Sequence, residues 1–285
     1  MIMKTKNPIL AMATALLLIS MNPCYALPTM DNQTITQAPT MSITQDTILK
    51  TAYPKTQTEA MAYMEPENLD DYFKALPAQQ LEKNVLGFIH PTLQFNNTQG
   101  EARYLVIVEK VNIYDGYIQS CRACSSTADF LIYKIKAGQF VLINSARNQD
   151  SIPAGNGHLR HDFTEQLHKN LQAFGKNMMG SYVKASFTGA GGQEESLWYA
   201  VLLPDTGKVQ ALAIGSAGGS TESFFADRPH LASSTSSSLK IIQNDADYYP
   251  VEVTYIDNIN TKTKPVKSRF TYQPKNSEYL ETKLK

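Results

Sequence analysis

The apolar positions of this chain change their period three times. Residues 9–19 form an apolar run broken only by small residues and Thr14. Between 59 and 86 the spacing turns helical. Leu69, Tyr72, Phe73 and Leu76 follow i, i+3, i+4 and i+7, the pattern of one buried helix face. Pro77 divides this stretch, because proline inside a helix removes a backbone hydrogen bond. The spacing therefore predicts an N-terminal helical hairpin, with helices over 67–75 and 78–86.

From 103 onward the pattern is that of strands. Tyr104-Leu105-Val106-Ile107-Val108 is rich in β-branched and aromatic residues, as a buried strand would be. Residues 130–135 and 140–143 flank Lys136-Ala137-Gly138-Gln139, which reads as a hairpin connection. One helix interrupts the series near 162–174. Asp162 offers an N-cap, Glu165 stands three residues later, and Gly175 closes it; Phe163, Leu167, Leu171 and Phe174 would be its buried stripe. Strands are expected again at 182–187, 197–203, 209–214, 239–242, 251–256 and 269–272. Pro204-Asp205-Thr206-Gly207 would be a tight turn, and the serine-rich stretch 232–238 a flexible loop. The expected fold class is α+β, predominantly antiparallel β, with the helices covering sheet faces.

The N-terminus adds an address. Lys4 and Lys6 precede the apolar run, and Cys24-Tyr25-Ala26 ends it with small residues at minus three and minus one. Residues 1–26 thus read as a cleaved signal peptide, too short in its apolar part for a comfortable membrane span. No later segment is apolar enough to span a bilayer. A lipid anchor is disfavoured because Asn22-Pro23, and not small residues, precede Cys24. Residues 27–58 hold nine threonines and few charges, and read as a disordered leader. The globular domain would span 59–275, and 276–285 would be a basic tail.

Charge is informative only after this cleavage. The whole chain has 26 basic and 26 acidic side chains; without residues 1–26 it has 24 and 26. Residues 27–261 carry 17 basic against 24 acidic groups, and the last 24 residues carry seven against two. A mildly acidic body with a basic end excludes a strongly basic nucleic-acid binder.

The candidate chemistry is sparse. Cys121-Arg122-Ala123-Cys124 lacks the helix that a redox pair opens, so a structural short-loop disulfide is expected. Metal ligation with His158 and His161, redox work and free thiols are the alternatives. The three histidines His158, His161 and His168 read as surface groups near a helix start. Asp205-Thr206-Gly207 matches the aspartic-protease tripeptide but lacks its apolar flank and a second copy, which leaves a hairpin turn. Gly215-Ser216-Ala217-Gly218-Gly219-Ser220 has neither the spacing of a nucleophile elbow nor the lysine of a P-loop. Asp245 and Asp247 lack the further ligands of a calcium loop. Ala190-Gly191-Gly192-x-x-Glu195-Ser196 is echoed by Ala217-Gly218-Gly219-x-x-Glu222-Ser223 at an offset of 27, either a duplicated unit or a coincidence of turn residues. Its two glutamates, Glu195 and Glu222, are the candidate acid/base pair, with His158 and His161 as possible assistants.

Asp115-Gly116, Ser120-Cys121-Arg122-Ala123-Cys124 and the hairpin pattern through Gly138-Gln139-Phe140 resemble uncharacterised exported proteobacterial proteins, in which a Cys-x-Ala-Cys turn joins two strands. The resemblance covers about 40 residues. It implies a β architecture and no established activity. The expectation is an exported, periplasmic, non-enzymatic binding module, immunity- or inhibitor-like toward another protein of the cell envelope. It would need no cofactor, no metal and no assigned catalytic residue. The alternatives are a periplasmic hydrolase using Glu195 and Glu222, and a secreted, surface or assembly protein.

Overall fold

The computed structural model describes residues 43–55, 71–119, 121 and 124–284. Their α-helices are α1 (Gln45–Ala52), α2 (Asp71–Lys74) and α3 (Phe163–Lys169), with one 3-10 turn at Pro229–Leu231. The first sheet comprises β1 (Ala78–Glu82), β2 (Val85–Ile89), β3 (Leu93–Asn96), β4 (Ala102–Tyr114), β5 (Tyr117–Ile118), β6 (Thr127–Lys136) and β7 (Gln139–Gln149). Its order is β1-β2-β4-β6-β7, with β3 and β5 also paired to β4. A small hairpin of β8 (Ala154–Gly155) and β9 (His158–Leu159) leads into α3. The second sheet runs in chain order through β10 (Gln172–Gly175), β11 (Met178–Thr188), β12 (Glu194–Leu203), β13 (Gln210–Ser220), β14 (Ser234–Ile241), β15 (Val251–Asp257), β16 (Val266–Gln273) and β17 (Glu278–Leu284). Every strand pairing among the described residues is antiparallel.

Strand β4 explains its own sequence. On one face Leu105 and Ile107 enter a core with Phe130 and Ile132 of β6, Val183 and Val201 of the second sheet, and Phe163 and Leu167 of α3. On the other, Tyr104, Val106 and Val108 lie under α1, whose Ile48 is buried among them. Burying one such side chain contributes about 1.5–3 kcal/mol. Helix α1 is capped by Thr44, whose Oγ1 accepts from the Thr47 amide at 3.2 Å. Its far end is held where Arg147 Nη2 donates to Ala52 O at 2.8 Å.

The second sheet encloses a separate core that includes Trp198, Leu212, Ile241, Val253 and Phe270. It can do so because β13 and β14 pair only from Gly218 to Ser220. At Gly218 φ is 111°, and a Cβ there would lie 2.1 Å from Thr235 O, so only glycine fits. The rest of β13 packs elsewhere: the Phe270 ring lies over Gly215, and Gln210 donates to Tyr272 Oη. The two sheets are also fastened at the turn after β12. Asp205 accepts from Arg103 Nε at 2.8 Å and from Asn97 Nδ2 at 2.8 Å, while Asn144 Nδ2 donates to Pro204 O at 2.8 Å. Arg103 holds the Asp205 carboxyl below the usual carboxylate range.

Several expectations change. Residues 43–55, assigned to a disordered leader, contain α1. Residues 56–70 lie outside the described ones, so the first helix of the expected pair is seen only as α2. The second is no helix: 78–86 forms most of a β hairpin, β1 and β2, with Asn84 at φ 63° in its turn. Alanine, glutamine and leucine favour helix locally, but pairing of β2 with β4 outweighs that preference. Helix α3 ends at Lys169, and Phe174 and Gly175 belong to β10. Asp162 makes no capping bond; it accepts from Arg160 and Gln166 side chains instead. The serine stretch is mostly strand β14, and the supposed tail is mostly strand β17. Among the described residues, no helix is long and apolar enough to cross a membrane. Residues 1–42 lie outside the described ones.

Candidate functional site

The far half of β4 carries two features that its near half does not. Its inward face reads Leu105, Ile107, Glu109, Val111, Ile113. Leu105 and Ile107 belong to the main core, and Val111 and Ile113 to a second apolar cluster with Phe73, Phe88 and Ile118. Glu109 therefore sits between two apolar clusters, with 0% of its surface exposed. A buried carboxylate is costly unless it is hydrogen-bonded and paired.

Two histidines flank it. His90 follows β2, where Pro91 interrupts the strand before β3, and its Nε2 stands 3.1 Å from Glu109 Oε2. His158 comes from β9, laid over β4, and its Nδ1 stands 3.4 Å from Oε1 at ion-pair distance. The Leu159 amide donates to the same oxygen at 2.7 Å. Burial pushes the Glu109 carboxyl up, but the histidines beside it pull harder and hold it at about 2. His158 is itself buried, stacked against Phe73 with ring centroids 4.4 Å apart, and neither ring nitrogen has a hydrogen-bond partner among the described residues. A carboxylate so acidic and enclosed is not poised as a general base near neutrality. No group of three or more His, Cys, Asp or Glu among the described residues is arranged to hold a metal ion.

The disulfide lies next to this cluster in the hydrogen-bond network. Cys121 and Cys124 are joined, as the spacing predicts. Cys124 O accepts from the Gly157 amide at 3.0 Å, so the closed loop fastens the hairpin that presents His158.

At its end β4 turns tightly into β5. Asp115 and Gly116 occupy the turn with φ of 49° and 81°, the left-handed pair that a two-residue hairpin loop requires. Ile113 and Ile118 anchor the ribbon in the apolar cluster. The residues paired at its tip, Tyr114 and Tyr117, are 72% and 51% exposed.

The sequence candidates are scattered. Glu195 lies exposed on β12, and Glu222 lies exposed in the turn after β13, accepting from Ser220 Oγ at 3.0 Å. His161 is exposed before α3, whereas His158, expected on the surface, is buried against Glu109. No hydrogen bond or ion pair among the described residues joins these four to one another. The apparent repeat is not a repeated unit either. Its first copy is a hairpin turn leading into β12; its second is the end of β13 running into a turn. Sequence reading missed Glu109 because Glu109-Lys110 looks like a strand end. The available signal was the period of two, in which Glu109 takes an inward place between Ile107 and Val111.

No family model, no curated protein and no solved structure matches this chain.

Proposed function

We propose that the protein is an exported, periplasmic binding module that acts without catalysis, as an immunity- or inhibitor-like partner of another envelope protein. The observation that carries this reading is the tyrosine pair at the β4–β5 tip. Tyrosine supplies large contact area with few rotatable bonds, and exposed pairs of this kind are typical anchors of protein recognition. Below the tip the ribbon is pinned by Ile113 and Ile118, and the disulfide braces the loop that follows. Such preorganisation lowers the ordering cost of binding. The signal-like N-terminus and the cysteine pair support an oxidising compartment.

The test combines location with contact. The mature chain should appear in the osmotic-shock fraction of its native cells. Irradiation of that fraction with protein carrying a photoreactive group at Asp115 should give one discrete adduct. The double variant Tyr114→Ser, Tyr117→Ser should fail to compete for it. Retention in the cytoplasm, or full competition by the double variant, would sink the proposal.

A further inference from the structure

Strand β14 has one complete edge and one incomplete edge. It pairs with β15 along its whole length, from Thr235 opposite Asp257 to Ile241 opposite Val251. On its other side β13 pairs only with Ser234, Thr235 and Ser236. Beyond Ser236 no strand among the described residues occupies that edge.

The alternation of an antiparallel ladder says which groups are left over. The Ile242 amide donates to Pro250 O, on the β15 side. Counting back by twos, Lys240 and Ser238 also face β15, so the amides and carbonyls of Leu239 and Ile241 point the other way. They point to a groove of about 510 Å³, whose lining includes Leu239, Lys240, Ile241 and Gln243 on one wall and Gln172 and Tyr182 on the other. This size lies in the ordinary range of ligand clefts, roughly 300–1,000 Å³.

The charge of the groove is one-sided. Among the described residues, Lys240 is its only ionic lining residue. Its cross-strand neighbour Glu252 is already engaged by Arg269 Nη2 at 2.6 Å, and Lys240 makes no ion pair among the described residues. Two neighbouring unpaired backbone positions, two amide side chains and an unneutralised ammonium match one kind of occupant. We propose that the open edge of β14 from Leu239 to Ile241 is a strand-addition site for an extended peptide segment that carries a carboxylate. Backbone pairing would supply the affinity, and Lys240 the preference for acidic side chains. This site lies on the second sheet and does not depend on the tyrosine tip.

The probe is a short peptide alternating valine and glutamate, added to the full mature chain. Trp198 is the reporter. It is the only tryptophan, and its Nε1–H donates to Ser237 Oγ on β14 at 3.0 Å. Saturable binding should weaken about tenfold or more when alternate amides of the peptide are N-methylated, because strand pairing needs them. Lysine in place of glutamate, or Lys240→Glu in the protein, should weaken it similarly. Leu239→Pro removes one outward amide without touching the β15 ladder and should do the same. The N-methylated peptide keeps the test valid even if that variant misfolds. Equal binding of the N-methylated peptide, or no saturable binding at millimolar concentration, would overturn the proposal. So would concentration-dependent dimerisation abolished by Leu239→Pro, which would assign the edge to a second copy of the chain.

Discussion

Glu109 and Asp129 stand on adjacent strands, one register step apart, and both are essentially sealed from solvent. They face opposite sides of the first sheet. Asp129 lies on the α1 side, where Arg147 Nη1 approaches at 2.9 Å, Tyr53 Oη donates at 2.8 Å and the Asn148 amide at 2.7 Å. The Arg147 guanidinium also stacks over the Tyr53 ring, 4.6 Å from its centroid. Burial and the Asp129 carboxylate drive the Tyr53 phenol far above its ordinary range, so it stays a donor. Glu109 has instead two imidazoles and one amide. The first carboxylate is paired with a guanidinium, the second with two imidazole rings and a backbone amide. The first arrangement is a fastener for α1. The second ties the middle of β4 to the residue after β2 and to β9.

The largest effect should come from breaking the Arg147–Asp129 pair. Arg147→Met leaves Asp129 buried without its cation and frees Ala52 O, and should cost about 3 kcal/mol in urea unfolding, with loss of amide protection in α1. A loss below about 1 kcal/mol would mean that Tyr53 and Asn148 suffice for Asp129.

Next comes Glu109→Gln, expected to cost about 2 kcal/mol near neutral pH. Its pH dependence sharpens the contrast. The folded carboxyl is held near 2, below its ordinary value of 4.5. A depressed carboxyl stabilises the fold fully above its unfolded value and loses that contribution as pH falls toward the folded one. Urea midpoints of the wild type should therefore drop between pH 5 and pH 2 more steeply than those of Glu109→Gln. Parallel curves would show that Glu109 is not the acid-sensitive group.

Removing the disulfide with Cys121→Ser and Cys124→Ser closes no long loop, so about 1–2 kcal/mol is expected. Exchange should quicken around Gly157 and His158 and leave α1 unchanged. The smallest effect should follow Lys50→Ala. It breaks only the exposed Asp46–Lys50 pair at 2.8 Å and should stay within about 0.5 kcal/mol.

The legible parts of the sequence were those where one local rule decides. The run 104–108 reads as a buried strand from its residue types alone, and the structure buries it on both faces. Ala137 and Gly138, at φ 50° and 76°, form the turn that their sequence announced between β6 and β7. The Cys121–Cys124 spacing sufficed for a short disulfide. What stayed hidden depends on distant partners. Ala78 to Leu86 looks helical until β2 finds β4. Ser234 to Ser238 looks like a loop until β15 pairs with it. Glu109 looks like a strand end until His90, just after β2, and His158 of β9 arrive on either side. The functional candidates were hidden for the same reason, since Glu195, Glu222, His158 and His161 share no neighbourhood that a linear spacing could reveal.

The fastening of the 204–207 turn to the first sheet bears on how the molecule comes apart. Arg103, Asn97 and Asn144 hold that turn from three positions on or beside β3, β4 and β7. The hairpin of β12 and β13 is thereby tied at its tip as well as through the shared core. Opening it means first giving up a partly buried guanidinium–carboxylate contact. Local breathing of β12 and β13 should thus be suppressed, and their slowest amides should exchange together with those of β4, as one cooperative unit. Strands β14 to β17 share a core with β12 and β13 but show no such tie to the first sheet among the described residues, and their amides should exchange faster.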